Sequence, residues 1–133
     1  QLSGFAAESD IYDVGTVLGS LGRYDEARQS FMKALALSPQ NGRVMQSIGV
    51  TYLMQENAAE AVSWLSSAVA QDPGAVENHY YLGLALLKSG QLEMGVEHIN
   101  KAMYLDPQNA RQLAAGLPAA LGKRGATPAT SVT

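Results

Sequence analysis

The fold is decided by the 34-residue stretch 76–109, which reads VENHYYLGLALLKSGQLEMGVEHINKAMYLDPQN. The same pattern occurs in phase in the two preceding stretches, 8–41 and 42–75. The clearest marker is a proline near the end of each unit, at Pro39, Pro73 and Pro107. A fixed period of this size is typical of repeat architectures, in which each unit is one supersecondary element that stacks on its neighbours.

Small residues recur at two positions of each unit, and large apolar residues recur at another. The small residues are Gly15, Gly49 and Gly83 at the eighth position and Ala27, Ala61 and Gly95 at the twentieth. The large residues are Phe31, Leu65 and Ile99 at the twenty-fourth position. We expect the small residues to let two helix backbones approach, and the large ones to fill the space between the helices.

Turn residues divide each unit into two helices. The first helix is broken by Gly22 in the first unit, by a turn at Glu56-Asn57 in the second and by Ser89-Gly90 in the third. The second helix ends before proline, because the residue before proline disfavours helical dihedral angles. The predicted helices are 9–20, 24–37, 43–55, 58–71, 76–88 and 92–105, with a seventh helix at 110–117 capped by Asn109. We interpret the seventh helix as a cap over the last apolar face. The predicted division is a flexible lead-in (1–7), three repeats (8–41, 42–75 and 76–109), the capping helix (110–117) and a disordered tail (118–133).

The repeated pattern resembles the tetratricopeptide repeat family, whose signature places Leu-Gly, Ala-x3-Phe and Pro at these spacings. The resemblance extends over residues 8–109. It implies an all-α fold, a right-handed superhelical solenoid of three antiparallel helix pairs followed by the short capping helix.

Composition excludes several classes of function. The chain has no cysteine, so it forms no disulfide framework and no thiolate metal site. No apolar run approaches the ~18 residues that a membrane-spanning helix needs. Each repeat segment carries two more acidic than basic residues, and the three bases after residue 109 are sparse. Binding to a nucleic-acid backbone needs clustered lysine and arginine, so no nucleic-acid partner is expected.

The family resemblance also implies a binding surface, because the first helix of each repeat lines a concave groove in this family. We predict a protein or peptide partner with an apolar segment. The positions carried over onto this sequence that we assign to partner binding are Tyr12, Arg43, Gln46, Val50, Met54, Glu77, Tyr80, Tyr81, Leu84 and Lys88. Exposed apolar residues in a contiguous patch are typical of such a site.

One ligand class of this family is predicted to be absent. Relatives that bind the acidic C-terminal tails of heat-shock chaperones use lysine, arginine and asparagine as a carboxylate clamp. The matching positions here hold Tyr12, Thr16, Ser47, Glu77 and Tyr81. A carboxylate needs charged donors to offset its desolvation, so this chain is not expected to bind such tails.

Catalytic, cofactor and metal sites are not expected. The two histidines are His79, at a core-facing position, and His98, on an outer helix next to Glu97. Adjacent residues splay apart on a helix, so Glu97 and His98 do not form a metal site. Trp64 shares its repeat position with His98. Two interpretations of Trp64 stay open, namely packing over the next repeat or a second contact surface on the convex face.

The leading hypothesis is therefore a protein–protein interaction scaffold that serves as an adaptor, chaperone or assembly factor and is not an enzyme. The alternatives are a self-assembling structural module, which would be a homo-oligomer, and a targeting appendage excised from a larger enzyme. The sequence favours a soluble protein and leaves its compartment open, since the cytoplasm and the periplasm are both compatible with it.

Overall fold

The structure is a computed structural model that describes the backbone of residues 4–120 and the side chains of residues 7–116. Within this range the chain forms α1 (Gly4–Ser20), α2 (Tyr24–Leu37), α3 (Gly42–Met54), α4 (Ala58–Gln71), α5 (Val76–Lys88), α6 (Leu92–Leu105) and α7 (Pro107–Ala120). Helices that are adjacent in the chain pack together, most extensively within the pairs α1/α2, α3/α4 and α5/α6. This confirms the predicted all-α solenoid of three helix pairs with a capping helix.

The repeated glycines lie at the closest contacts within the helix pairs. A Cβ atom placed on Gly15 would lie 2.6 Å from Cε1 of Phe31, and one on Gly49 would lie 2.6 Å from Cγ of Leu65. Both glycines are buried. The predicted pairing of small residues with large apolar ones across each helix pair is therefore confirmed.

The turn inside each helix pair uses a left-handed residue at one repeated position. Gly22, Glu56 and Gly90 have φ angles of 79°, 65° and 89°. Glycine adopts this conformation without a steric penalty, whereas residues with a Cβ atom adopt it at a cost. The three turns therefore share one backbone geometry, although the middle repeat achieves it without glycine.

The hydrophobic core is divided into three clusters that join neighbouring helices. The first cluster joins α2 to α3, the second joins α3, α4 and α5, and the third joins α5, α6 and α7. The members are Ala27, Phe31, Ala34, Val44 and Ile48 in the first, Leu53, Ala61, Leu65, Leu82, Ala85 and Leu86 in the second, and Val76, Tyr80, Ala102 and Ala110 in the third. Each cluster joins one repeat to the next element along the chain.

The two ends of the solenoid differ from the sequence prediction. Helix α1 begins at Gly4, so residues 4–7 are helical and do not belong to a lead-in. Glu8 holds this end in place, since its buried carboxylate accepts a hydrogen bond of 2.8 Å from the Asn41 amide. Residues 1–3 of the predicted lead-in lie outside the described residues.

Helix α7 begins at Pro107 and not at Ala110, and its cap is Asp106 and not Asn109. The Asp106 carboxylate accepts a 3.1 Å hydrogen bond from the backbone N–H of Asn109. Proline suits the first position of a helix because its missing N–H would have no partner there. The helix continues to Ala120, so residues 118–120 of the predicted tail are helical, and residues 121–133 lie outside the described part of the chain.

Candidate peptide-binding groove

A cavity of about 370 Å³ opens between the first and second helix pairs. Helices α1 and α3 supply most of its wall, and α5 contributes one tyrosine. Its lining consists of Tyr12, Thr16, Gly19, Ser20, Gly22, Tyr24, Phe31, Gln46, Ser47, Val50, Thr51, Met54 and Tyr81. We call this surface the groove. It combines aromatic rings and aliphatic side chains with hydroxyl and amide groups, and it includes no charged side chain.

Half of the residues predicted to bind a partner meet in the groove, namely Tyr12, Gln46, Val50, Met54 and Tyr81. The prediction missed the wall supplied by Gly22, Tyr24 and Phe31. These residues belong to the turn and to α2, which the positions carried over from the first helices did not include. The small Gly19 and Gly22 are the signal in the sequence that could have indicated this opening, because both line the cavity and neither has a side chain that would narrow it.

Tyr12 is held in place by three neighbours. Its hydroxyl lies 2.8 Å from the Ser47 hydroxyl, which joins α1 to α3. Its ring packs against Phe31 with 5.2 Å between the ring centroids, and the Arg43 guanidinium lies 4.8 Å from the Tyr12 ring centroid. A cation over an aromatic face is attracted by the ring quadrupole. These contacts fix one aromatic wall of the groove, so it does not need to reorganise before a ligand binds.

A second cavity, of about 260 Å³, continues towards the third helix pair and brings together Arg43, Gln46 and Glu77. The Gln46 amide donates a 2.8 Å hydrogen bond to the buried Asn78 side chain. The Asn78 amide in turn donates to the carbonyl oxygen of Ala68 at 3.1 Å. Both polar groups of Asn78 are therefore satisfied between repeats, and the side chain of Gln46 has a fixed position.

Three predicted residues lie outside these cavities. Tyr80 is a correction to the prediction, because it is only 5% exposed and packs in the third core cluster against Val76 and Ala102. Leu84 is half-buried and packs against the second and third clusters. Lys88 is exposed at the last residue of α5. Tyr80 and Tyr81 are adjacent in sequence and point to different sides of α5, and only Tyr81 reaches the groove.

Tyr81 presents a protonated phenol to the groove. Burial raises the pKa of Tyr81 above its ordinary value, and the Glu77 carboxylate and Tyr80 raise it further. The phenol therefore remains neutral near pH 7 and can both donate and accept a hydrogen bond. Tyr81 and Tyr12 thus offer a partner an apolar ring with a polar end, a combination that is enriched at protein interfaces.

The two histidines form a hydrogen-bonded pair between α5 and α6. Nε2 of the buried His79 lies 2.7 Å from the Pro73 carbonyl oxygen and donates to it. Nδ1 of His79 lies 3.1 Å from Nδ1 of His98, within hydrogen-bond distance across the two helices. Within the described residues no group of three or more His, Cys, Asp or Glu side chains is arranged to hold a metal ion. The pair has a structural explanation.

Trp64 is half-buried and packs against the first core cluster, which includes Phe31, Val44 and Ile48. Of its two predicted interpretations, packing is supported, although the tryptophan covers the junction with the preceding repeat and not the next one.

No helix within residues 4–120 has the length and apolarity that crossing a bilayer requires.

Comparisons with known proteins agree with this architecture. Family models described as tetratricopeptide repeat match residues 12–76 and 76–109. The chain is 34% identical to a solved structure of MamA from Desulfovibrio magneticus RS-1, with a TM-score of 0.70, over 75% of this chain and 56% of that chain. It is 28% identical to human tetratricopeptide repeat protein 33 over 81% of this chain and 42% of that protein.

A second solved structure, the first tetratricopeptide domain of Spaghetti (RPAP3) bound to the HSP90 peptide SRMEEVD, has a TM-score of 0.73 and 21% identity. The alignment covers 83% of this chain and 92% of that chain, and at this identity it shows the fold alone. The chain spans less than half the length of the curated relatives that it matches.

Proposed function

Because the chain belongs to the tetratricopeptide repeat family, we propose that it is a protein–protein interaction module that binds a partner segment in the groove, as an adaptor, chaperone or assembly factor. The observation that carries this proposal is the cavity of about 370 Å³, where two tyrosines, a valine and a methionine meet on the face formed by α1, α3 and α5. Surfaces of this composition are typical of binding sites.

The groove favours a partner that inserts one large apolar side chain. The ring of Tyr12 is fixed by its neighbours, whereas Met54 is unbranched and can adapt its shape to the inserted group. Tyr81 and Gln46 also line the cavity, and in this proposal the Tyr81 hydroxyl and the Gln46 side-chain carbonyl oxygen bond a partner backbone next to that side chain. The partner segment can be extended or helical, since both forms are known to bind such grooves.

We also propose that the chain does not bind acidic chaperone tails and has no catalytic role. The RPAP3 domain of the same fold is bound to the peptide SRMEEVD. At the positions of the family's carboxylate clamp, this chain has Tyr12 and Tyr81 in place of cations and Ser47 in place of asparagine. Glu77 replaces a further cation and adds a negative charge beside Arg43. A terminal carboxylate would be desolvated there without the charged donors that offset its cost.

A displayed peptide library, selected on the immobilised full chain, tests the site. The test variant is Val50→Glu with Met54→Glu, which places two charges in the groove. Its matched control is Leu92→Glu with Val96→Glu, which introduces the same charges at the same spacing on α6, where both residues are at least half exposed. Leu84 is left unchanged because it packs against two core clusters.

We expect peptides with an apolar anchor to bind the parent and the control with similar affinity and to lose at least about tenfold in affinity on the groove variant. Circular dichroism melting shows whether both variants are folded. Binding that survives in the folded groove variant would place the site elsewhere. Synthetic SRMEEVD is the second ligand, and micromolar binding of it would contradict the proposed partner chemistry.

A further inference from the structure

Helix α1 carries an uncovered apolar stripe on the end of the solenoid. Val14, Val17 and Leu21 are 53%, 58% and 64% exposed. Val14 and Val17 are three residues apart and lie on one face of α1, and Leu21 follows directly after the last residue of the helix, Ser20. Stable solenoids close their ends with polar faces, and α1 departs from that rule.

The repeat positions of Val14 and Val17 are covered in the other two repeats. The positions of Val14 and Val17 correspond to Ile48 and Thr51 in α3, which are 0% and 3% exposed, and to Leu82 and Ala85 in α5, which are 4% and 0% exposed. What covers them is the second helix of the preceding pair. Helix α2 packs on α3 in the first core cluster, and α4 packs on α5 in the second.

We infer that the exposed face of α1 is a docking surface for the second helix of another helix pair, supplied from outside residues 4–120. The internal junctions show the chemistry of this partner, an amphipathic helix that brings small residues to the contact. Examples are Ala27 and Ala34 in α2 and Ala61 and Ala68 in α4, all with no exposed surface.

A second copy of this chain does not supply such a helix in the same geometry. The small residues of α2 and α4 are covered by their own neighbours, and Ala102 of α6 is covered by α7 in the third cluster. The α1 face is also distinct from the groove, because neither Val14 nor Val17 lines it.

Asp10 lies on the same helix and requires a positive charge on the partner helix. It occupies the repeat position of Asn78, whose amide donates to the Ala68 carbonyl oxygen at 3.1 Å and to the Asp72 carbonyl oxygen at 3.3 Å at the end of α4. A carboxylate at this position would face the free carbonyl groups of a docked helix, which repel it. The partner helix therefore carries a lysine or arginine near its C-terminus, where basic residues are also favoured by the helix dipole.

The test uses the full chain and an extended chain in which residues 42–75 replace residues 1–7 and directly precede Glu8. This insertion keeps the 34-residue phase and places a copy of α4 on α1. Both chains are made with Asp10 and with Asp10→Asn. With Asp10→Asn, we expect the extended chain to melt roughly 5–10 °C above the unextended one, because the exposed valines become buried. With Asp10 retained, we expect a smaller gain.

The variant Val14→Ser with Val17→Ser shows whether the rise in melting temperature depends on contacts with this face of α1. It should change the melting temperature of the unextended chain by no more than about 2 °C, as exposed substitutions do, and should remove most of the gain in the extended chain. A gain that persists in the serine variant, or no gain at all, overturns the inference. So does a concentration-dependent dimer of the full chain, seen by sedimentation, that the serine variant dissociates, because a second copy would then occupy the face.

Discussion

Replacing Gly83 by alanine tests a close approach of the α5 and α6 backbones. A Cβ atom at this position would lie 2.8 Å from Cδ1 and Cγ1 of Ile99 and 2.9 Å from the carbonyl oxygen of Gly95. The Ile99 side chain can shift, but the carbonyl oxygen belongs to the α6 backbone, so α5 and α6 must separate. Overpacking of this kind lowers the free energy of unfolding by about 1–3 kcal/mol, whereas the higher helix propensity of alanine raises it by about 0.5–1 kcal/mol. The expected net loss is about 1–2 kcal/mol.

For a chain of this size, that loss corresponds to a decrease of about 4–8 °C in melting temperature. Thermal unfolding followed by circular dichroism measures it. Gly19→Ala is the control, because the nearest neighbour of its new Cβ would be the Ala27 Cβ at an ordinary 3.9 Å. The control should melt at or above the parent temperature. Gly49→Ala should fall between the two, since its close contacts are with side-chain atoms of Leu65. If Gly83→Ala melts as the parent does, the packing argument is wrong.

Two further predictions concern pH and backbone conformation. Burial lowers the pKa of His98 below its ordinary value, and the neighbouring His79 lowers it further. The unfolded chain therefore binds more protons at this site, so stability should be full above the unfolded pKa of about 6.5 and fall as the pH drops below it. Urea midpoints at pH 7.5 and 5.5 should show this loss of unfolding free energy, and the loss should be smaller in His98→Gln. Because His98 is only half-buried, the loss should stay well below the limit of about 1.4 kcal/mol per pH unit. Gly90→Ala should cost about 1 kcal/mol in denaturant unfolding although open space surrounds it, because its φ angle is 89°. Gly116→Ala, also in open space but helical, should be neutral or stabilising, and equal effects of the two changes would contradict the conformational explanation.

Much of the fold was predictable because the same pattern of small, large apolar and turn residues occurs in three successive units. The predicted bounds of α2, α4, α5 and α6 agree with the structure residue for residue. The ends were harder to predict because they have no second copy for comparison. Pro107 indicated the end of a repeat by its period, and only the structure shows that it also starts the next helix.

The groove was predictable in outline and not in detail. Positions carried over from the first helices indicated Tyr12, Val50 and Tyr81. They could not separate the buried Tyr80 from Tyr81, since one helical step of 100° moves a side chain from the groove into the core. The histidine pair was missed for another reason. His79 and His98 lie on different helices, and their contact depends on how α5 packs on α6.

The division of the core into three clusters also shapes how the chain folds. Each cluster is built from helices that are adjacent in sequence, so nearly all stabilising contacts close short loops. Chains with such local contacts fold rapidly, because little loop-closure entropy is lost before the contacts form. No cluster ties the first helix pair to the third, so either end can open while the cluster around Leu65 remains intact. Unfolding is therefore graded along the chain, and the groove, which spans the first and second pairs, lies next to the end where α1 is uncovered.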